Sequence, residues 1–528
     1  MRNMDNSIIT RLSAIGMALS GEKNIDALLN LIVDEAKGIT EADAGTLYLV
    51  DPDKQTLIFS IMHNDTQDVH AHYQHEIKLA PVPLYLPDGT PNHTNVSSHV
   101  ALSGDHINIP DVYEDKDFDF SGPRKYDQVT GYRSQSMLVI PMQDHHGDIL
   151  GVIQLINAMD TATNEVCPFT PEEAGIVGSL ASQAAVALNN VRLIQQLEDL
   201  LQAFIKTIAS AIDAKSKYTG SHIRRVAQLT MDIAEAVNAC ETPPFDTVHF
   251  NESQMKELSL AAWLHDVGKI VTPQHIIDKR SKLETVIDRA ELVKTRFQLI
   301  ETSIRLTAAQ SRMKALEQGA SQQTLHALDT ALDAEVQQIQ SELAFVLSCN
   351  RSMEFMPDEK IDKIKAIGKK TYVWQGQEYP YLTQDEQDNL CIQKGNLTLA
   401  ERKAIEDHAQ ATWDLLSQLP FPPDLANVAT YAAQHHEKLD GSGYTQGLTA
   451  KDIPLQSRIL AIADIFEALS AADRPYKDPL PISRVLQIMD FMQQDGHLDP
   501  DILELFIGNK VFMKFVNKEV SPAQNDVG

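Results

Sequence analysis

Histidine and aspartate residues recur at widely separated places in this chain, and their types suit the binding of metal ions. The candidates are His222, His265, Asp266, His408, His435, His436 and Asp464. Imidazole and carboxylate ligands without thiolate suit iron, manganese or zinc, and more than four ligands are too many for one structural zinc. The set therefore predicts a centre for two divalent metal ions with hydrolytic chemistry.

The clearest local signal is the adjacent pair His265 and Asp266, near the end of the apolar stretch 258–269. Read as one helix, this stretch projects the two side chains about 100° apart, so they can hold one ion together, or the carboxylate can bridge two. Lys269 then lies four residues from His265 on the same side. A buried carboxylate carries a desolvation penalty that a metal ion offsets.

The other candidates are weaker when each is taken alone. Taken alone, His222 is better explained as a surface residue at the start of a helix than as a ligand, and His408 as a core histidine on an inward helix face. His435 and His436 are consecutive, so their rings diverge enough to reach two neighbouring ions. Asp464 stands in an apolar helical stretch and needs a metal ion or an arginine as its partner. In combination, these residues favour the metal centre.

Bulk composition restricts the class of protein. A chain of 528 residues predicts at least two domains, and its formal net charge of -28 argues against nucleic-acid binding through a broad basic surface. An anionic substrate then needs local cations, which metal ions supply. The sequence shows neither a signal peptide nor an apolar stretch of about 18 residues, and its four cysteines form no close-spaced motif. We therefore expect a cytoplasmic protein that does not bind membranes.

The N-terminal third shows mixed helix and strand patterns. A helical apolar spacing over 25–36 precedes strand patterns at 45–50 and 56–60, and two further strand patterns follow at 136–140 and 150–156. These patterns predict an α+β domain.

This region resembles a GAF sensor domain over residues 8–190. The resemblance rests on the segments 101–104, 107–111, 130–134, 138–141 and 151–157. It implies an antiparallel sheet with flanking helices and an unknown small-molecule ligand. Cyclic-nucleotide GAF domains resemble one another in having a lysine at the position of Ala158. Binding of cyclic AMP or cyclic GMP is therefore not assumed. A dimerising domain without a ligand remains the alternative.

A long helix is predicted to connect the two domains, over 170–212. Thr170 and Glu173 form a capping box, with Pro171 in the first turn. Near-heptad apolar positions follow at Leu180, Ala187, Val191, Ile194, Leu201, Ile205, Ile208 and Ile212. Such a stripe can be buried within its own chain, but its position between two domains favours a parallel pairing of two chains. We therefore predict a homodimer.

An insert over 281–397 interrupts the metal-binding region. Apolar residues spaced by three and four over 286–304 and 325–343 predict two long helices in an antiparallel hairpin, and 371–379 predicts a β-hairpin. The insert carries little chemistry, so a structural role as a partner surface or dimer arm is expected.

The C-terminal region resembles an HD-GYP domain, a subclass of the HD phosphohydrolases, over 200–513 apart from the insert. The motifs that carry the resemblance are 265–269, 435–444, Asp464 and 474–477. The resemblance implies an all-α fold in which the seven candidates are metal ligands and Asp266 bridges the ions. It also implies that Asp266 and Lys269 are catalytic. The substrate-binding residues implied are Gly443, Tyr444, Arg474 and Lys477.

Two departures from the HD-GYP pattern affect the expected chemistry. Thr445 replaces the proline of the motif, and Tyr218 replaces a glutamate found in members with three metals, so two ions, iron or manganese, are expected. The resemblance implies hydrolysis of cyclic di-GMP, regulated by the GAF domain, to pGpG or, with a second cleavage, to GMP. Two alternatives remain open. One is a catalytically weak receptor for a cyclic dinucleotide, and the other is an HD phosphohydrolase for another cyclic dinucleotide.

Overall fold

The protein is described here from a computed structural model. The described residues are 2–72, 79–215, 221–351, 355–471 and 479–527. The chain forms two compact units, Met1–Leu201 and Gln202–Gly528. Across these described ranges, no helix is both long and apolar enough to span a lipid bilayer.

The first unit combines helices with one antiparallel sheet, as predicted. Its elements are α1 (Arg2–Gly21), α2 (Ile25–Thr40), β1 (Ala42–Val50), β2 (Thr56–Asn64), β3 (Val69–His72), β4 (Val82–Pro83), α3 (Val96–Ser103), β5 (Ile107–Ile109), α4 (Ser121–Thr130), β6 (Met137–Gln143), β7 (Ile149–Met159), β8 (Val166–Cys167) and the first part of α5 (Pro171–Asp213). The strand order is β3-β2-β1-β7-β6-β5, with β4 beside β2 and β8 beside β7. All these pairs are antiparallel.

Apolar side chains cover both faces of this sheet, because successive residues of a strand point to opposite faces. Leu47 of β1 and Ile153 of β7 pair across the strands and belong to the core that includes α2 and α5. Their neighbours Tyr48 and Val152 belong to the core on the other face. The sheet is therefore a buried layer between two apolar layers.

Within the described residues, the second unit is helical apart from one small hairpin, as predicted. Its elements after α5 are α6 (His222–Asn238), α7 (Glu252–Leu264), α8 (Gln274–Ile277), α9 (Arg289–Glu317), α10 (Gln322–Cys349), α11 (Asp358–Gly368), β9 (Thr371–Trp374), β10 (Gln377–Pro380), α12 (Gln384–Leu390), α13 (Leu399–Leu416), α14 (Val428–Ala433), α15 (Leu455–Ser470), α16 (Ile482–Gln494), α17 (Pro500–Gly508) and α18 (Phe512–Glu519). Short 3-10 helices cover Val267–Ile270 and Pro423–Leu425. The main core of this unit joins α6, α15, α16, α17 and α18.

The predicted helical hairpin and β-hairpin of the insert are both present, as α9 with α10 and β9 with β10. The two ends of the insert meet at Lys279, whose ammonium group donates to Glu401 at 2.7 and 2.8 Å and to Asn389 at 2.9 Å. Asn396 donates to the carbonyl oxygen of Lys279. The insert therefore leaves and rejoins the helical unit at one place.

Helix α5 starts at Pro171, and the predicted capping box is formed: the backbone N–H groups of Thr170 and Glu173 each donate to the other residue's side chain. The apolar stripe behaves differently along its length. Leu180 is buried in the core of the first unit and Ile205 in the second. Between them, Ile194 is 60% exposed. Burial within the chain thus explains the apolar residues at both ends of the stripe, whereas the middle of the stripe is exposed to solvent.

Candidate metal centre

The seven predicted ligands lie at helix ends or on helix faces that converge in the second unit. His222 begins α6, the residues His265 and Asp266 follow α7, His408 lies in α13, His435 and His436 follow α14, and Asp464 lies in α15. Ligand atoms of His222, His265 and Asp266 lie within 4.8 Å of one another, and so do those of His408, His435 and His436. The rings of His265 and His435 are 4.9 Å apart, and His222 Nε2 lies 3.3 Å from Asp464 Oδ1. The structure therefore brings all seven together.

Three of the histidines are held so that one ring nitrogen points into this cluster. In His265, His408 and His435, Nδ1 donates to the carbonyl oxygen three residues earlier, at 2.8, 2.5 and 2.6 Å. Their Nε2 atoms are buried and have no hydrogen-bond partner among the described residues. A buried polar atom without a partner is costly, and the backbone bonds leave a lone pair on each Nε2. The donor set therefore fits divalent metal ions.

Asp266 lies at the centre of the cluster, and its two oxygens face different histidines. Oδ2 is 3.3 Å from Nε2 of His222 and 3.3 Å from Nε2 of His265. Oδ1 is 3.4 Å from Nε2 of His408. The ammonium group of Lys269 lies 2.5 Å from Oδ2. A carboxylate placed in this way can contact two ions at once.

Electrostatics favour the protonation states that metal binding needs. Burial lowers the pKa of His408, and burial together with neighbouring histidines lowers the pKa of His435 further. Burial also lowers the pKa of His436 to about 3. These three imidazoles are therefore neutral at neutral pH. Burial alone would raise the pKa of Asp266, but Lys269 and the histidines outweigh it and hold that pKa well below its ordinary value.

The prediction of one continuous helix over 258–269 is wrong. Helix α7 ends at Leu264, and a 3-10 turn over Val267–Ile270 follows. As a result, Lys269 pairs with Asp266, three residues earlier, rather than lying beside His265 on one helix face.

The break in the helix is fixed by a close contact with α13. A side chain at Gly268 would overlap the carbonyl oxygen of His408, so only glycine permits this approach. The backbone N–H of Gly268 donates to the Thr412 hydroxyl at 3.0 Å, and that hydroxyl donates to the His265 carbonyl at 3.0 Å. Thr412 therefore ties α13 to the segment that carries His265 and Asp266.

Glu467 is a member of the site that the sequence did not reveal. It is 1% exposed, and its carboxylate lies 2.5 Å from Nδ1 of His222 and 2.6 Å from Nε of Arg225. A carboxylate on the outer nitrogen of a histidine orients the ring and leaves the inner nitrogen for a ligand. The available signal was its spacing: Glu467 lies one turn after Asp464, and Arg225 lies one turn after His222.

The predicted substrate loop lies beside the cluster. The Tyr444 ring is 4.9 Å from the His436 ring, and its backbone N–H donates to the His436 carbonyl at 3.3 Å. Gly443 packs so closely on the backbone of Glu437 that a side chain there would overlap it. The buried carboxylate of Glu437 accepts the backbone N–H groups of 446 and 448 at 2.6 and 2.9 Å. Burial raises the pKa of Tyr444, so its hydroxyl keeps its proton.

Three residues named in the sequence analysis, Tyr218, Arg474 and Lys477, lie outside the described residues.

Comparison with family models defines the class of protein. A model described as GAF domain matches residues 24–188, and two models described as HD domain match 219–344 and 385–502. The chain is thus a GAF domain joined to an HD domain, in agreement with the two resemblances.

Curated relatives point to phosphodiesterases of cyclic dinucleotides. The chain is 45% identical over 104 residues to "3'3'-cGAMP-specific phosphodiesterase 3" of Vibrio cholerae, which covers 19% of this chain and 22% of that protein. It is 33% identical over 138 residues to "Cyclic di-GMP phosphodiesterase response regulator RpfG" of Xanthomonas campestris, covering 26% and 35%. It is 34% identical over 121 residues to "Cyclic di-GMP phosphodiesterase" of Thermotoga maritima, covering 23% and 32%. The matches thus span between about a fifth and a third of each relative's length.

Among solved structures, the chain is similar to the GAF domain of a phosphoenolpyruvate-protein phosphotransferase from Coxiella burnetii. The identity is 17%, the match covers 36% of this chain and 96% of that one, and the TM-score is 0.28.

Proposed function

We propose that this protein is a metal-dependent phosphodiesterase of the HD-GYP subclass that hydrolyses cyclic di-GMP to pGpG or, with a second cleavage, to GMP. The observation that carries the proposal is the set of buried Nε2 atoms of His265, His408 and His435, which have no hydrogen-bond partner among the described residues and lie in the cluster around Asp266. Similarity to curated phosphodiesterases of cyclic dinucleotides supports the choice of substrate.

The seven side chains His222, His265, Asp266, His408, His435, His436 and Asp464 would hold two divalent ions, iron or manganese. Such ions, when bound, activate water and neutralise the charge of a phosphodiester. Asp266 would bridge them, because its two oxygens face the two groups of histidines.

Lys269 is the proposed catalytic partner of Asp266. Its side chain is 27% exposed, whereas that of Asp266 is 3% exposed, so the ammonium group lies on the solvent side of the cluster. From there it can donate to a phosphate oxygen and stabilise the negative charge that develops there. Tyr444 and Gly443 would contact the substrate beside His436, and Arg474 and Lys477 would bind its second phosphate or its guanines, as the HD-GYP resemblance implies.

A second substrate, 3'3'-cGAMP, is favoured by one specific observation. The relative with 45% identity over 104 residues carries the name of a 3'3'-cGAMP-specific phosphodiesterase. The two substrates share the cyclic phosphodiester and differ in one base, so the same metal centre serves either.

The test uses the full chain, purified without oxygen and loaded with iron(II) or manganese(II). Cyclic di-GMP, 3'3'-cGAMP and cyclic di-AMP are supplied separately, and the products are separated by chromatography. Cleavage of cyclic di-GMP ahead of the others is expected. Preference for 3'3'-cGAMP selects the second candidate, and tight binding without product supports a receptor instead of an enzyme.

Two variants separate the roles of the central pair. Asp266→Ala should lose both bound metal and activity, because the proposed bridge is gone. Lys269→Ala should keep its metal and slow turnover by about 100-fold, as removal of one stabilising donor does in other enzymes. Metal content by elemental analysis and turnover are measured together. The control is Lys403→Ala, which removes an exposed pair with Asp407 and should change neither. Activity in the Asp266 variant would contradict the bridging role.

We further propose that an unknown small molecule bound to the GAF domain regulates the HD domain through α5. Support comes from the course of this helix, which begins in the first unit and ends in the second. A ligand that changes turnover of the full chain without changing that of a chain with a mutated GAF core is the expected result.

The middle of α5 supports the proposed homodimer. Leu193, Leu197, Leu200 and Phe204 are 54%, 66%, 61% and 63% exposed, and their 4-3-4 spacing is that of a two-chain coiled coil. In a parallel pair, each of these positions meets its own copy, so a second copy of this chain is a complementary partner without further adjustment.

Light scattering of the full chain tests the dimer. Replacing Leu197 and Leu200 together with glutamate should give a monomer, because like charges then meet across the seam. Gln196→Glu places a charge on the same helix outside the stripe and should leave the dimer intact. A monomeric wild type would refute the homodimer.

A further inference from the structure

The residues just after the end of α5 contact the turn that carries Lys269. The ammonium group of Lys215 donates to three backbone carbonyls of that turn, those of Lys269, Ile270 and Thr272, at 3.0, 2.5 and 2.7 Å. One side chain therefore forms hydrogen bonds with three backbone carbonyl groups that follow the His265–Asp266 pair in the chain.

Among the described residues, apolar packing does little to hold the middle of this turn. Its start is fixed where Gly268 packs against α13, and its end is fixed by Thr272, which is 2% exposed. Between these points Ile270 and Val271 are 56% and 62% exposed, so apolar packing contributes little to their position. Backbone bonds within the turn, such as Val271 N–H to the Gly268 carbonyl at 3.2 Å, are those of a short 3-10 helix, which is intrinsically weak.

We propose that Lys215 is a positioning residue for Lys269. By holding the carbonyl groups of the turn, Lys215 fixes the backbone from which Lys269 reaches Asp266 at 2.5 Å. Among the described residues, the hydrogen bonds of the Lys215 ammonium group are to these backbone carbonyls and not to the side chains of Asp266 or Lys269. This role rests on the proposed function, in which Lys269 stabilises the phosphate charge.

The same contact gives the connecting helix a direct route to the reaction. Lys215 follows the end of α5 by two residues, and its backbone N–H donates to the Ile212 carbonyl of that helix at 3.0 Å. A shift of the helix end would therefore move the ammonium group, and with it the turn that carries Lys269, while the histidines keep their own backbone contacts. Regulation through this route would change turnover and leave metal binding unaltered.

Turnover of the full, metal-loaded chain tests this role. Lys215→Met keeps the length of the side chain and removes the donors, and it should lower kcat by about 10-fold, with KM and metal content as in the wild type. Lys215→Arg keeps donors for the carbonyls and should restore most of the loss. Lys206→Met is the matched control, because Lys206 lies on α5 and its ammonium group lies 5.8 Å from the centre of the Trp263 ring.

A double variant separates positioning from general support of the fold. If Lys215 acts through Lys269, adding Lys215→Met to Lys269→Ala should cause no further loss, within about twofold. Three results would each overturn the inference. The losses of the two single variants could multiply in the double variant, Lys215→Met could lose its metal, or Lys215→Met could keep the wild-type kcat.

Hydrogen exchange gives a readout that does not depend on the substrate. The amides of Lys269, Val271 and Thr272 should exchange faster in Lys215→Met than in the wild type and the Lys206→Met control. A wild type that cleaves no cyclic dinucleotide refutes the proposed function, and the exchange rates still decide whether Lys215 orders the turn. Unchanged exchange refutes the inference even in an active enzyme.

Discussion

Replacing Glu467 with glutamine should weaken metal binding although Glu467 is not itself a candidate ligand. Its carboxylate lies 2.5 Å from Nδ1 of His222 and 2.6 Å from Nε of Arg225. Glutamine has nearly the same shape and no charge, so the ring of His222 loses the anion that fixes its orientation. The neighbouring Arg225 loses its buried counter-charge at the same time.

The expected losses in metal affinity and in stability follow from these two contacts. Loss of the carboxylate behind a ligating histidine weakens metal binding by about 10- to 100-fold, which is about 1.4–2.7 kcal/mol. The metal-free protein should also be less stable, because Glu467 is 1% exposed and its hydrogen bonds involve charged groups. One such bond contributes about 1.5–3 kcal/mol, and the amide oxygen of glutamine can replace part of it, so we expect a loss of about 2 kcal/mol.

The neighbouring Arg224–Glu519 pair supplies a matched control. It joins the same helix, α6, to another part of the unit at 2.9 Å, but the Glu519 side chain is 17% exposed and does not contact His222. Glu519→Gln should therefore leave metal affinity unchanged and cost less than about 1 kcal/mol in stability.

Chelator competition with manganese(II) measures the affinity, and chemical unfolding of the metal-free proteins measures the stability. The reasoning predicts a large drop in affinity for Glu467→Gln alone. Equal affinities in both variants, together with a loss of metal in His222→Ala, would show that His222 binds metal without help from Glu467 and would refute the positioning argument.

Two further variants test other contacts. Gly268→Ala should abolish metal binding in the same competition assay, since its new methyl group would overlap the His408 carbonyl, whereas Gly178→Ala, which has open space in α5, should leave metal binding unchanged. His497→Phe should make the free energy of unfolding less dependent on pH between pH 7 and 5. Burial and a neighbouring lysine lower the pKa of His497 to about 4, so the neutral ring stabilises the fold fully above pH 6.5, and this contribution is lost as the pH falls towards 4. Between pH 7 and 5 the wild type should lose about 2 kcal/mol more than the variant, measured by chemical unfolding at each pH, and parallel losses would contradict the assignment.

Much of the fold was predictable because its signals are local. The central strands of the first unit are runs of mainly apolar residues that are buried at most positions, and α5 begins at the capping box of Thr170 and Glu173, which is present in the structure. Asp464 could be singled out because a carboxylate in an apolar helix needs a partner. Such signals depend on residues within one or two turns of each other.

The remaining features depend on distant residues and could not be predicted. Helix α7 ends at Leu264 because Gly268 must approach the His408 backbone, 140 positions later. Glu467 contacts His222, which lies 245 positions earlier in the chain. The contact of Lys215 with the turn after Asp266 is equally non-local. Sequence spacing gives the residue types of the site and not the tertiary contacts that orient them.

The junction of the insert at Lys279 has a consequence for how this protein can vary. Both ends of the insert are held by one buried ammonium group, that of Lys279. A change in the length of the insert beyond this junction should therefore not move His408 on α13. Truncation or exchange of α9 and α10 for an unrelated hairpin is therefore compatible with an undisturbed α13, in the way that loop insertions with adjacent ends are tolerated. The length of the insert can therefore change without moving the candidate ligand His408.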